Sequence, residues 1–208
     1  MRKVESTPPS DVRTGALRRH LPLLVTEVIC LVAAVAAVAT QRWSDAIIPA
    51  LLVLAALVPL PVERWLAVPI PRWLQGLYAL LLLSGPFLGS HLHFYAVWGA
   101  WDTVVHFYSG ILIALGAVFA LRVTSRRSDL TAPPWFEAVV VIAVSALVAV
   151  LWEISEFTAD LVIGTTAQRN NTDTMVDLIA GTSAAVLVAI PLLLRRRRGA
   201  SADTDAHA

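Results

Sequence analysis

Cysteine is nearly missing from this chain. Cys30 is the single one among 208 residues, which excludes a disulfide framework and a thiolate metal site within one chain. Charge is scarce as well. Asp, Glu, Lys and Arg make up 15% of the residues, and the formal net charge is +1. That balance gives no basis for nucleic-acid binding, which calls for a strongly basic face. Alternating strands of about ten residues, the pattern of a membrane barrel, do not occur. Neither does an internal repeat, nor a Glu-x-x-His pair of the kind that builds di-iron bundles.

Hydrocarbon is what the sequence has in abundance. Hydrophobic residues account for 57% of the chain, and the mean hydropathy is +0.71. The apolar runs match the ~20 residues a helix needs to cross ~30 Å of hydrocarbon. Six spans are predicted, at 21–40, 46–61, 74–93, 103–123, 135–157 and 174–194. Gly85-Pro86 predicts a kink in the third, where a backbone hydrogen bond is lost. The first apolar run is longer than the roughly 7–15 residues of a signal-peptide core, although Ala37-Val38-Ala39 resembles a cleavage site. It is read as a retained span. The fold class is therefore an all-α polytopic membrane bundle. A transmembrane domain over 17–198 is flanked by polar tails at 1–16 and 199–208, both expected to be disordered.

Charge placement orients the bundle. Arg2, Lys3, Arg13, Arg18 and Arg19 precede the first span, and Arg64 and Arg72 lie between the second and third. Arg122, Arg126 and Arg127 follow the fourth, and four arginines at 195–198 follow the sixth. Only Arg42 and Arg169 fall on the other side. Excess Lys and Arg marks the cytoplasmic side, so both termini are expected inside, in a bacterial inner membrane. Seven tryptophans, Trp152 among them, sit near span ends, where an interfacial ring belongs.

The informative residues are acidic. Asp102 and His106 are four apart, as are Asp173 and Asp177; Glu153 and Glu156 are three apart, and Asp160 extends their stripe. Such spacings put each set on one helix face. At ~1.5 Å per residue, His106 lies about 24 Å from Arg122, Glu153 about 26 Å from Phe136 and Asp177 about 27 Å from Arg195. Three helices thus deliver polar groups to one depth. Asp102, Glu156 and Asp173 form a second layer about 4–6 Å further out, at the mouth. Small residues follow on the same faces: Ser109 and Gly110, then Ala180, Gly181 and Ala184. They permit close helix approach.

Ionisable groups in a span cost at least ~2.5–3.5 kcal/mol on insertion scales and generally face a bundle interior. Several carboxylates in one cavity cannot all stay ionised without a compensating cation. The candidate metal ligands are Asp102, His106, Glu153, Glu156, Asp173 and Asp177, for a divalent ion such as Mg, Mn, Zn or iron. His106, Glu153 and Asp177 are the candidate catalytic groups. Gln168 and Arg169, in the polar loop 163–172, are the candidate substrate contacts, with Arg169 closing the loop over the site. His91 and His93 lie at the outer end of the third span and are further candidates.

The order Asp102-x3-His106-Phe107-x2-Gly110, Glu153-x2-Glu156, Gln168-x4-Asp173-Thr174-x2-Asp177, with His93-Phe94-Tyr95 ahead of it, resembles the bacterial inner-membrane protein YjdF and its relatives. More remotely, it is similar to VanZ-like membrane proteins. The resemblance covers roughly 74–194. It departs at Arg169-Asn170, where the YjdF pattern has Gly-Asp, and at Gly99-Ala100-Trp101-Asp102, where that pattern has Arg-Asn-x-Asp. The VanZ likeness implies an envelope role.

Three function classes fit these residues. One is a metal-dependent enzyme acting on an envelope lipid or lipid-linked substrate from the outer side. The second is a cation- or proton-coupled transporter. The third is a structural or assembly protein whose acids pair within the bundle. All three have the lipid bilayer as partner. Reporter fusions after Leu130 and after Arg195 are expected to read cytoplasmic, and one after Gly164 external. A cytoplasmic reading at Gly164 would invert the bundle and move the acidic layer to the inner side.

Overall fold

The computed structural model describes residues 18–128 and 132–205, with side chains through Leu194. The expected tail at 1–16 lies outside the described residues. Every element among the described residues is helical. In chain order they are α1 (Leu21–Ala39), α2 (Trp43–Ala56), α3 (Pro59–Leu66), α4 (Arg72–Leu82), a π-helical stretch (Leu83–His91), α5 (Phe94–Val97), α6 (Ala100–Arg127), α7 (Pro134–Ile163) and α8 (Asn171–Asp205). Five stretches are long and apolar enough to cross a membrane: Leu21–Ala39, Trp43–Leu66, Ala100–Arg127, Pro134–Ile163 and Asn171–Leu194.

The third expected span is built differently, from α4 running into the π-helical stretch. Pro86 has no N–H to donate, so the regular ladder cannot continue through it. The chain widens instead, and Leu92 N–H reaches back five residues to the Phe87 carbonyl at 3.0 Å. At the other end of the chain, α8 extends to Asp205.

Contacts divide the chain into two compact units, Met1–His93 and Phe94–Ala208. In the first, α1 packs on α2 and α4, and α2 packs on the π-helical stretch. Its core is Cys30, Leu52, Ala56 and Leu82, with Tyr78 and Phe87 against them. The Tyr78 hydroxyl donates to the Ala55 carbonyl at 2.8 Å. Pro59, four residues on, has no N–H to offer that carbonyl, which also accepts from the Val58 N–H at 3.0 Å.

The second unit is a bundle in which α6, α7 and α8 pack pairwise. Its polarity is inverted relative to a water-soluble bundle. Asp102, His106, Ser145, Glu153 and Asp177 are buried, whereas Leu147, Leu151, Ile154 and Ile179 are exposed. In hydrocarbon this arrangement is favourable, because apolar side chains lose nothing by facing lipid and polar ones must find partners inside.

Small residues set the register. A Cβ on Gly110 would overlap the backbone of Gly181, carbonyl oxygen first. A Cβ on Gly181 would lie 3.5 Å from both the Ala149 side chain and the His106 carbonyl. Gly110, Ala149 and Gly181 each stand one helical turn from His106, Glu153 and Asp177 respectively. Beyond that layer, Ala114 and Ala185 one turn on and Val141 two turns on close the core, joined by Leu192.

Gly110→Ala should therefore destabilise the protein by about 1–3 kcal/mol, the usual range for overpacking a tight contact. Gly116→Ala, where an added Cβ meets nothing within 4 Å, should be neutral or stabilising. Thermal unfolding of the two variants in detergent checks this. Equal midpoints would mean that α6 and α8 do not meet at Gly110.

Candidate functional site

Four buried side chains meet above the small-residue layer. His106 Nε2 lies 3.8 Å from Asp102 Oδ1 and 3.6 Å from Glu153 Oε1. Asp102, His106 and Asp177 each present a ligand atom within 4.8 Å of the others. The Trp152 ring stands edge-on to His106, with centroids 6.1 Å apart. Asp177 is 2% exposed and Glu153 5%. Despite that burial, Glu153 Oε1 and Asp177 Oδ1 have no hydrogen-bond partner. The Thr103 hydroxyl donates to the Asp177 carboxylate.

The remaining acids have separate duties. Asp102, expected at the mouth, is buried with His106, because one helical turn keeps the two on a single face. Glu156 is half-buried and accepts the Trp152 indole N–H at 2.9 Å. Asp173 pairs with Arg169, with Nε 3.3 Å from Oδ2. Asp160 turns away from the cluster and accepts the backbone N–H groups of Ala167 and Gln168 at 2.8 and 2.9 Å, together with the Thr165 hydroxyl. It thereby fixes the loop after α7. Asn170 Oδ1 accepts from Thr172 and Asp173 N–H and caps α8. Gln168 donates its amide to Thr174 Oγ1 at 2.7 Å.

Between these two anchors, Arg169 reaches across to α6. Its guanidinium donates to Asp102 Oδ2 at 3.0 Å and to the Gly99 carbonyl at 3.1 Å. Desolvation opposes its charge. The hydrogen bond to Asp102 and the charges of Asp173, Asp102 and Asp177 outweigh that, and its pKa lies above the ordinary value. His91, by contrast, packs at a tilt against Phe87 inside the first unit, with ring centroids 5.1 Å apart, and His93 closes that unit with a left-handed backbone, φ 58°.

Sequence reasoning missed Thr103, which showed only as a polar residue beside Asp102. It also missed the use of Trp152, which serves the cluster where an interfacial ring was expected. Tyr95 is a third omission. Burial, followed by the negative charges of Asp102, Glu156 and Asp177, pushes its phenol above the usual range. The sign is clear: the phenol stays neutral further into alkali than a free tyrosine, and losing a nearby negative charge brings its ionisation down. Ultraviolet titration of Glu156→Gln should show the last tyrosine ionising at lower pH than in wild type, and Tyr95→Phe should abolish that phase. An unchanged curve for Glu156→Gln would place Tyr95 beyond the field of the acidic cluster.

Comparison with known proteins adds family but no activity. A 109-residue stretch is 33% identical to an uncharacterized protein of Thermotoga maritima, covering 48% of this chain and 53% of that protein. The match thus spans about half the length of the relative. No solved structure matches the chain. Residues 21–198 match the family described as predicted membrane protein, DUF2238. With nearly all of its helical core inside that match, the chain belongs to the DUF2238 family of predicted membrane proteins.

Proposed function

We propose that the Phe94–Ala208 unit binds a divalent cation at Asp102, His106, Glu153 and Asp177, and acts there on an envelope lipid or lipid-linked substrate in the bacterial inner membrane. One observation carries this reading: the carboxylate oxygens of Glu153 and Asp177 are buried without a hydrogen-bond partner, and the nearest counter-charge to the first, His106 Nε2, stands off at 3.6 Å. An unpaired buried charge is costly, by about 3–5 kcal/mol when its partner is removed. A cation among the donors would relieve it. Two opposite donors ~2.1 Å from an ion stand about 4.2 Å apart, so the 4.8 Å grouping needs only a small contraction. One imidazole with several carboxylates suits Mg, Mn, Zn or iron.

Such an ion supplies Lewis acidity to a phosphoryl or carbonyl oxygen, or lowers the pKa of a water. The protein's own groups take the other roles. The adjoining His106–Glu153 pair, 3.6 Å apart, supplies the proton carrier at the edge of the ion. Arg169 grips an anionic headgroup from the loop, with Gln168 beside it, and closes the mouth when no substrate is there. Glu156 and Asp173 flank the entrance. The outward-facing orientation, with both termini cytoplasmic, rests on the Lys/Arg asymmetry. The YjdF-like and VanZ-like motif pattern agrees with an envelope substrate. A transporter fits less well, because Ala114, Val141, Ala185 and Leu192 close the core beneath the cluster, and the buried Ser145 at their edge turns its hydroxyl to the Gly110 carbonyl at 3.5 Å.

Metal retained by the purified full chain after loading with Mn or Zn tests the reading. About one ion per chain is expected, with Glu153→Gln and Asp177→Asn weakening it by at least ~10-fold, as a lost ligand should. Arg169→Ala should tighten it, since a competing charge is gone. Absence of a retained ion in wild type, together with a higher melting temperature for Asp177→Asn, would identify the acids as a strained structural cluster instead.

A further inference from the structure

The first unit carries a second polar site, on the face with the Lys/Arg excess. A cavity of about 360 Å³ opens between the start of α1 and the end of α3, lined by Arg19, His20, Glu63, Arg64, Ala67 and Pro69 among others. Its floor is a satisfied polar network. Gln75 is 1% exposed, and its amide donates to the Ile70 carbonyl at 2.9 Å and to Glu63 Oε1 at 3.2 Å. Ile70 N–H donates to the same Glu63 oxygen at 2.8 Å. With the Gln75 amide nitrogen so engaged, its carbonyl accepts from His20 Nδ1 at 3.1 Å. His20 Nε2 is then left as the acceptor for Arg19, at 3.2 Å. The Arg19 guanidinium also lies 3.7 Å from Glu63 Oε2.

This network leaves a positive surplus. Glu63 is the single acid lining the cavity, and both its oxygens are engaged. Arg64 is exposed, and among the described residues no carboxylate pairs with it. Two guanidiniums against one carboxylate leave a net charge of about +1 around the opening with His20 neutral. The wall is held in a disfavoured backbone form. Ala67 has φ 48°, in the left-handed region that a residue with a Cβ disfavours. That turn folds 67–69 back over the cavity, with Ala67 N–H on the Arg64 carbonyl at 3.2 Å. Leu60, Val68 and Pro69 make the rest of the lining apolar, and Trp65 beside it is 82% exposed. Paired guanidiniums, an apolar rim and an adjacent exposed indole are what the headgroup level of a bilayer requires.

We propose that this cavity binds the phosphate of an anionic phospholipid, gripped by Arg19 and Arg64, independently of the acidic cluster in the other unit. The shared chemistry is a phosphate anion, so the test separates a lipid from free phosphate. Full-length protein in neutral detergent is titrated with phosphatidylglycerol, phosphatidylcholine or inorganic phosphate, and thermal midpoint and lipid retention in native mass spectrometry are followed. Phosphatidylglycerol should raise the midpoint saturably, and the other two should not. Arg64→Gln should weaken that response about tenfold, the loss expected for one charge-assisted contact. Arg72→Gln, a basic residue at the start of α4 outside the cavity lining, should leave it unchanged. An equal response to phosphatidylcholine, or an equal loss in Arg72→Gln, would overturn the site. Saturation by inorganic phosphate alone would overturn the lipid assignment.

Discussion

The contact of Gly110 with Gly181 is the constraint on which the second unit depends. Only glycine lets the α6 and α8 backbones come this close, since a Cβ on Gly110 would occupy space already held by the Gly181 backbone. Each glycine stands one turn inward of a polar residue, His106 on α6 and Asp177 on α8. Locking the glycines together therefore fixes the imidazole and the carboxylate at one depth. Ala149 does the same for Glu153 on α7. The register of three helices is set by small residues, and the polar layer above them inherits it. With lipid as solvent there is no hydrophobic drive between helices, so close backbone packing has to supply the attraction.

Above that layer the electrostatics are one-sided. Three buried carboxylates surround one imidazole, and the arginine that reaches them comes from the loop between α7 and α8. The loop is ordered by its own acids and amides: Asp160 holds one side and Asn170 the other. Arg169 is thereby held over Asp102 and Asp173, where it offsets part of the negative charge from outside. It does not reach the orphaned oxygens of Glu153 and Asp177. Those two atoms stay buried without a hydrogen-bond partner, while the charges around them are paired.

Much of this was legible in the sequence. Composition alone dictated helices in lipid, because an uninterrupted apolar run can satisfy its backbone in hydrocarbon only as a helix. Periodicity placed His106, Glu153 and Asp177 on inward faces at one depth, and Gly110 and Gly181 beneath two of them. Gly85-Pro86 marked the break in the third span, although not its form. The missing N–H of Pro86 is written in the sequence, but whether the chain kinks or widens into a π turn depends on what packs against it.

Other features were decided only by tertiary contact. Depth arithmetic put Asp102 in the outer layer, yet its side chain points back along the helix face to His106 and is buried. Trp152 looked like an interfacial ring, and the packing of α7 against α6 turned it onto His106 and Glu156. Asp160 continued an acidic stripe by spacing, and the fold of the following loop drew it away to cap backbone amides. The cavity of Arg19, Glu63, Arg64 and Gln75 had no sequence signal, since its residues are separated along the chain and each reads as an ordinary interfacial group. A sequence fixes the period and depth of its side chains, because these follow from rise per residue and the thickness of the bilayer. Which partner each side chain finds is settled by three-dimensional packing, where a rotation of one helix face exchanges lipid for a carboxylate.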